Sequence, residues 1–234
     1  MNEDEGRRGE QKKRAAESAA SLVKDGMVVG LGTGSTAEIA VRRIGWRIKE
    51  EELEVLGVPT SLATELLAVE CGIPVTSLFE HPSLDLCIDG ADQVDSELNL
   101  IKGGWGSHTR EKVVSYAAER VVICIEEAKM VRTLNRSVPL EVLPYAVKVV
   151  ERQVRELGGV AVLRKDGNRG GFFMTEGGNL VVDADFGVVK NPEATSVALS
   201  AVVGSVEHGI FTNATEVLVG VEGREGVKNL KKKE

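Results

Sequence analysis

Residues 27–44 read MVVGLGTGSTAEIAVRRI, and the spacing of the apolar residues changes partway along this stretch. Residues 27–31 are mostly apolar, which predicts a short buried strand. Glycines at 30, 32 and 34 then mark a turn. From Ala37 the apolar residues follow a helical spacing, with Ala40, Val41 and Ile44 on the same face. The stretch therefore predicts a strand, a glycine turn and a helix.

The same alternation extends in both directions from this stretch. Before it, Ala15, Ala19, Leu22 and Val23 form one face of a predicted helix. After it, the pattern predicts strand 53–58, helix 62–71, a strand in PVTSL (74–78), strand 84–89, helix 109–119 and strand 121–126. Alternating strands and helices with nearly continuous apolar strands predict an α/β fold. Its form is a doubly wound, Rossmann-like parallel sheet.

The pattern changes after Pro139, where a second set of elements begins. It predicts strand 140–144, helix 145–157, strand 160–165, a glycine-rich segment at 166–171, strand 179–186, helix 192–203 and a strand near 206–211. This β-α-β-β-α-β order is typical of a ferredoxin-like α+β domain. The run TEVLVGVEG, 215–223, predicts one more buried strand that returns to the first sheet. The predicted domains are 1–136 plus 209–234, and an inserted domain at 137–208.

Composition excludes several classes of function. The chain has 234 residues, a net charge of −7 and a pI near 5.2, which disfavour nucleic acid as a partner. The sequence has no apolar stretch long enough for a membrane span, so we expect a cytoplasmic protein with no membrane partner. Cys71, Cys87 and Cys124 lack metal-binding spacing and are expected to be reduced. The terminal KKKE predicts a solvated tail.

The glycine loop at 30–37, GLGTGSTA, lies where a strand gives way to a helix, which is a favourable place for a phosphate. The loop also satisfies the GxGxxG/A pattern of dinucleotide-binding proteins. However, the second strand runs into GVPTS and lacks the acid that would bind the ribose. Hydroxyls at Thr33, Ser35 and Thr36 suit a terminal phosphate better. A plain strand-to-helix turn is the structural alternative.

A second set of candidate residues begins where strand 84–89 ends. Asp89, Asp92 and Asp95 follow at intervals of three, a spacing that could hold Mg²⁺ or serve only to cap turns. Lys102 and Glu111 come next, with a glycine loop between them. A carboxylate base and a lysine supply what proton transfer next to a carbonyl requires, because the base removes the proton and the cation stabilises the enediolate oxygen. Such chemistry needs neither metal nor cofactor.

Two other kinds of site are disfavoured. Ser107 and His108 are adjacent, but adjacency does not create the geometry of a hydrolytic dyad. His81 and His208 have no spacing typical of zinc ligands.

Four motifs occur in a familiar order and spacing: GLGTGSTA, DGADQVD, KGG and TREKVV. Together with VPTS, PLEVLP and the final strand, they resemble the type A ribose-5-phosphate isomerase family over nearly the whole chain. The resemblance implies reversible, metal-free interconversion of ribose 5-phosphate and ribulose 5-phosphate in the pentose phosphate pathway, through an enediolate and without a cofactor. It also implies that the inserted domain is a lid, and that the protein is a homodimer or homotetramer.

The resemblance assigns roles to residues at matching positions. Glu111 matches the general base, Asp89 and Asp92 match the pair that binds the sugar and assists ring opening, and Lys102 matches the lysine that stabilises the oxyanion. Lys129 and, less closely, Lys12 match lysines at the phosphate end. The remaining predicted substrate-binding residues lie in the loops: Thr33, Gly34, Ser35, Thr36, Gly90, Ala91, Gly103, Gly104 and Trp105.

The chain departs from the family pattern at Trp105, where a glycine is usual, and at Ser107-His108. A tryptophan cannot replace a glycine of positive φ without moving the loop. We expect its ring to point away from the sugar, while the Gly103-Gly104 backbone faces the substrate. The departure at Trp105 leaves one alternative to an isomerase, a phosphosugar-binding sensor without turnover. A separate alternative is a CoA-transferase-like enzyme that uses Glu111 as a nucleophile.

Overall fold

The computed structural model describes residues 3–167, 170–223 and 226–232. The α-helices are, in chain order, α1 (Glu3–Ala20), α2 (Ser35–Glu51), α3 (Leu62–Glu70), α4 (His108–Tyr116), α5 (Val147–Glu156) and α6 (Pro192–Ser200). The strands are β1 (Val28–Leu31), β2 (Leu56–Pro59), β3 (Leu84–Asp89), β4 (Gln93–Val94), β5 (Leu100–Ile101), β6 (Ala118–Glu126), β7 (Val138–Val142), β8 (Val160–Leu163), β9 (Leu180–Asp185), β10 (Ser205–His208), β11 (Ile210–Phe211), β12 (Glu216–Gly220) and β13 (Val227–Lys231). Short 3₁₀ turns lie at Glu127–Lys129 and Pro144–Ala146.

The chain forms two compact units. The first contains residues 1–91, 110–130 and 213–234, and the second contains 92–109 and 131–212. The domains predicted from the sequence, 1–136 plus 209–234 and 137–208, put 92–109, 131–136 and 209–212 in the first domain. Residues 92–109 join the second unit because β4 and β5 form a hairpin, and β5, the central strand of a small antiparallel sheet, also pairs with β11. Strands of two residues carry no periodicity that a sequence pattern could detect.

The first unit contains a six-stranded sheet in the order β13-β12-β6-β3-β1-β2. Strands β2, β1, β3, β6 and β12 are parallel, in the flavodoxin-like order 2-1-3-4-5 of doubly wound folds. The edge strand β13 is antiparallel to β12, so the sheet is mixed. Lys231 is exposed, as the prediction of a solvated tail requires, but it ends β13 instead of lying in an irregular tail, and 233–234 lie outside the described residues.

Helices cover both faces of this sheet. Val29 and Leu31 are buried on the face that packs against α1 and α2. Gly30 points to the other face, where an added Cβ would stand 2.8 Å from Cγ1 of Val114 in α4. Glycine at this position lets α4 pack directly on β1. With helices on both faces of a mainly parallel sheet, the α/β architecture predicted from the sequence is confirmed.

One predicted strand of the first unit is reduced to a single bridge. In PVTSL, Val75 pairs with Gly57 in an isolated parallel bridge. A turn follows at once, because the backbone N–H groups of Glu80 and His81 both donate to the carbonyl of Ser77. The segment is therefore too short to continue as a strand.

The second unit contains a four-stranded antiparallel sheet in the order β10-β7-β9-β8, with α5 and α6 between its strands along the chain. This order confirms the ferredoxin-like pattern. The core includes Leu140 of β7, Val182 of β9, Val150 of α5 and Leu199 of α6. The predicted glycine-rich segment 166–171 includes 168–169, which lie outside the described residues.

Two further findings concern the chain as a whole. Within the described ranges, no helix is both long enough and apolar enough to cross a bilayer. All three cysteines are thiols outside any disulfide, with Cys87 and Cys124 buried in β3 and β6. Cys71 is the C-cap residue that follows α3, and burial raises the pKa of its thiol. The expectation of reduced cysteines agrees with these positions.

Candidate active site

The glycine loop of the first unit connects β1 to α2. Gly34 is the N-cap residue of α2 and has φ of 103°, a conformation that favours glycine. A Cβ on Gly32 would stand 2.6 Å from Cα of Asp89 and would overlap its carboxyl group. Only glycine therefore fits at position 32, and the loop lies directly against the end of β3.

Asp89 is the last residue of β3 and is 1% exposed. Its Oδ1 accepts hydrogen bonds from the backbone N–H of Gly90 at 2.7 Å and of Thr33 at 3.1 Å. Strands β1 and β3 are the point at which the strand order of this fold reverses, and ligands bind there outside the carboxyl ends of the strands. The structure thus brings Asp89 and the glycine loop together where a ligand is expected.

A cluster of hydroxyl groups surrounds Thr33. Its Oγ1 lies 2.7 Å from Oγ1 of Thr60, 2.8 Å from Oγ of Ser61 and 3.0 Å from Oγ1 of Thr64. Ser61 is the N-cap residue of α3. The motif VPTS contributed to the resemblance, but sequence reasoning gave Thr60, Ser61 and Thr64 no role. Their signal was the hydroxyl-rich turn between a predicted strand and a predicted helix.

Two lysines lie near strand and helix ends of the first unit. Nζ of Lys12 in α1 donates to Oγ of Ser35 at 3.1 Å, which places its charge at the N-terminus of α2. Lys129 is half-buried in the 3₁₀ turn that follows the carboxyl end of β6. Both the helix N-terminus and an ammonium group attract anions.

Glu111 lies in the first turn of α4 and is 3% exposed. Carboxylates are rarely buried to this extent, and those that are often serve a function. The predicted helix began at Thr109, whereas α4 begins one residue earlier.

Lys102 follows β5 in the second unit and is also buried, at 3% exposure. Its backbone N–H donates to the carbonyl of Gly209 at 2.9 Å. Its Nζ lies 5.6 Å from the centroid of the Phe211 ring, within the range of a cation–π interaction. These contacts to the β11 region hold the lysine at the end of the small sheet.

Residues 103–106 form a tight turn. The N–H of Gly106 donates to the carbonyl of Gly103 at 3.0 Å, and both glycines have positive φ, 77° and 101°. Trp105 is not among the described residues of positive φ, so this turn accepts a tryptophan without strain. Its side chain is 69% exposed. The indole is thus not required to close the turn.

Asp92 is tied to the same turn. Its Oδ2 accepts from the N–H of Gly104 at 2.8 Å, and its own N–H donates to the carbonyl of Ile101 at 2.8 Å. A Cβ on Gly104 would stand 2.9 Å from Oδ1 of Asp92. The close approach of the carboxylate therefore requires glycine at this position.

The other polar candidates have structural roles. Oδ1 of Asp95 accepts from the N–H groups of Glu97 and Asn99, each at 2.9 Å, so it caps a turn. His108 is fully buried in the second unit, where a Cβ on Gly103 would stand 2.8 Å from its Nδ1. Over the part of the chain that the structure describes, no three His, Cys, Asp or Glu residues cluster in a way that could hold a metal ion.

Comparison with known proteins decides the family. The sequence model of the family described as ribose 5-phosphate isomerase A (phosphoriboisomerase A) matches residues 56–224. The chain belongs to the ribose 5-phosphate isomerase A family.

Curated members of this family match along most of the chain. The chain is 50% identical over 210 residues to the ribose-5-phosphate isomerase A of Methanosarcina acetivorans, covering 90% of each protein. The solved structure of ribose 5-phosphate isomerase A from Methanocaldococcus jannaschii has a TM-score of 0.90 at 43% identity, covering 94% of this chain and 98% of that one.

Another solved isomerase was determined in complex with phospho-erythronic acid. It also has a TM-score of 0.90, at 39% identity, and the match covers 94% of this chain and 97% of that one. The ribose 5-phosphate isomerase A fold thus extends over both units of the present chain.

Proposed function

We propose that this chain catalyses the reversible isomerisation of D-ribose 5-phosphate and D-ribulose 5-phosphate through an enediolate. The observation that carries this proposal is its 50% identity, over 90% of its length, to a protein named ribose-5-phosphate isomerase A. The complex of a solved relative with phospho-erythronic acid, a phosphorylated sugar acid, supports a phosphosugar as the substrate. The reaction belongs to the pentose phosphate pathway.

Glu111 is the general base in this proposal. It removes the proton from C2 of the open-chain aldose and returns it at C1, so that one carboxylate serves both halves of the reaction. Burial of its side chain supports this role, because water is kept from the proton during transfer. Lys102, equally buried, stabilises the negative charge that develops on the enediolate oxygen.

Asp89 and Asp92 bind the sugar and assist ring opening. Each carboxyl group is fixed by backbone N–H donors, Asp89 by Gly90 and Thr33 and Asp92 by Gly104. Fixed carboxylates suit this role because they need not reorganise when the substrate binds. The adjoining Ala91 and the backbone of Gly103 complete the sugar-facing loops.

The phosphate is held at the N-terminus of α2 in this proposal. The loop residues Gly34, Ser35 and Thr36 supply N–H and hydroxyl donors, and the contact of Lys12 with Ser35 supports a cationic partner there. Lys129 is the second phosphate-side lysine. Thr33 orients this loop through its hydroxyl cluster.

The test is an isomerase assay in the presence of EDTA. Wild-type protein should convert ribose 5-phosphate to ketose, and Glu111→Gln should lower kcat by about 10²- to 10⁴-fold because the base is lost. Glu119→Gln, at an exposed position in β6, is the matched control and should retain wild-type activity. Ketose formation by Glu111→Gln at the control rate would refute the assigned base.

Thermal unfolding distinguishes the sensor alternative. Ribose 5-phosphate that raises the Tm of wild-type protein without any ketose formation would indicate binding alone. The cytoplasmic location and the homodimer or homotetramer expected from the resemblance stay predictions. So does the role of the second unit as a lid.

A further inference from the structure

The peptide group between Gly103 and Gly104 is flanked by two residues without a side chain. Such a peptide can turn over more easily than any other, because no Cβ resists rotation on either side. Its N–H donates to Oδ2 of Asp92 at 2.8 Å. Turning over would replace this donor with a carbonyl oxygen facing a carboxylate. The hydrogen bond from the N–H of Gly106 to the carbonyl of Gly103 holds this orientation from within the turn, and a contact from outside the turn would hold it more firmly.

Arg164 contacts the opposite end of the same peptide group. Its Nη1 donates to the carbonyl of Gly103 at 2.9 Å, and also to the carbonyl of Gly104, which belongs to the next peptide group, at 3.2 Å. Arg164 follows β8 and is separated from the turn by about sixty residues of chain. Its side chain is 16% exposed, so water competes weakly for the guanidinium.

Asp183 of β9 fixes the guanidinium itself. Nε of Arg164 donates to Oδ2 of Asp183 at 2.8 Å, and Nη2 donates to Oδ1 in a second bond. This bidentate pair uses one edge of the guanidinium and leaves Nη1 directed at the glycine turn. A lysine could not make both sets of contacts, because its single ammonium lacks the planar fork.

The charges at the two ends of the peptide reinforce its orientation. A cation lies at its carbonyl oxygen and a carboxylate at its N–H, so each hydrogen bond polarises the peptide in favour of the other. The reversed orientation would place oxygen against carboxylate and N–H against guanidinium. Both contacts would be repulsive.

We infer that Arg164 is a positioning residue, which locks the Gly103-Gly104 peptide and thereby holds the Asp92 carboxylate in place for the sugar. This inference rests on the proposed isomerase function. Arg164 itself needs no contact with the substrate. Loss of the guanidinium should therefore act through Asp92, and a double-mutant cycle can detect that dependence.

The experiment measures kcat/KM for ribose 5-phosphate in Arg164→Met, Asp92→Ala and the double variant. We expect Arg164→Met to lower kcat/KM by about 10- to 100-fold, as small misplacements of substrate-contacting groups do. The double variant should be no worse than Asp92→Ala alone. Arg152→Met, in which the lost arginine is exposed on α5, is the matched control and should behave as wild type.

Two results would overturn the inference while the wild type remains active: losses that multiply in the double variant, or an Arg164→Met variant as active as Arg152→Met. If Arg164→Met does not fold, Asp183→Asn replaces it in the cycle, because it loosens the guanidinium and should also lose its effect beside Asp92→Ala. Partial rescue of Arg164→Met by added guanidinium would support the lock. A wild type without turnover would overturn the proposed function itself.

Discussion

The hydroxyl of Thr109, in the first turn of α4, donates a hydrogen bond to the carboxylate of Glu141 in β7. The other oxygen of Glu141 accepts from Oγ1 of Thr175 and from Nδ2 of Asn179, each at 2.8 Å. Glu141 is only 4% exposed. A buried carboxylate with three donors holds together segments that lie more than thirty residues apart in the chain.

Replacement of Glu141 should therefore be costly. Glu141→Gln removes the charge and puts an NH₂ group where a donor already points, and we expect the free energy of unfolding to fall by about 1–3 kcal/mol. Urea denaturation measures this change. Glu156→Gln, at an exposed end of α5, should stay within about 0.5 kcal/mol of wild type. Equal stability of the two variants would contradict the role of Glu141.

Alanine should be harmful at Gly32, which lies against Asp89, and favourable at Gly9, which has free space around it. Gly32→Ala should displace the Asp89 carboxyl and lower kcat/KM, because the new Cβ overlaps it. Gly9→Ala, in the middle of α1 with no atom within 4 Å of an added Cβ, should instead raise the free energy of unfolding by about 0.5–1 kcal/mol. Steady-state kinetics and urea denaturation check the two halves. Full activity in Gly32→Ala would contradict the first.

Trp105 provides a test of the departure from the family pattern. Because the indole is largely exposed and the turn closes through Gly103 and Gly106, Trp105→Gly should keep kcat/KM within about threefold of wild type. The isomerase assay on both proteins decides this. A loss of tenfold or more would mean that the ring takes part in substrate binding, and the expectation that it points away would then be wrong.

The acid stability of the protein should depend in part on Glu51. A hydrogen bond from Arg47 lowers the pKa of this carboxyl below its ordinary value of 4.5. The folded state thus binds this proton less readily than the unfolded chain. The stabilisation that ionised Glu51 gives the folded state is therefore present above pH 4.5 and is lost as pH falls through the lowered pKa. Wild type should lose stability on acidification more steeply than Glu51→Gln. Parallel pH curves from urea denaturation would disagree with this.

Most elements of the fold could be predicted because they depend on local pattern. The apolar run LDLCID predicted 84–89, and β3 spans these same residues. Strand β13 was not predicted because VKNLK at 227–231 is mainly polar. It lies at the edge of the sheet, antiparallel to β12, so it needs no continuous apolar run. Its partner β12, buried along its whole length, was predicted from its apolar residues.

Some residues of the candidate site and its surroundings could likewise be predicted from local sequence, and others could not. Glycine, aspartate and lysine motifs identified the loops, since their residue types carry the chemistry themselves. Arg164 and Glu141 escaped notice because an arginine or glutamate in a strand-rich segment is ordinary in sequence. Their importance comes from partners about sixty and thirty residues away, which no local spacing reveals.

The antiparallel β13 also covers a backbone edge of the six-stranded sheet. The five residues of β12 are all buried, and β13 covers the edge of that strand which would otherwise offer unpaired backbone groups to another molecule. Lys228 and Lys231 add charge along the outermost strand, and charged edges discourage further pairing. A chain that ends before Val227 would lack β13, and the unpaired edge of β12 would then favour aggregation.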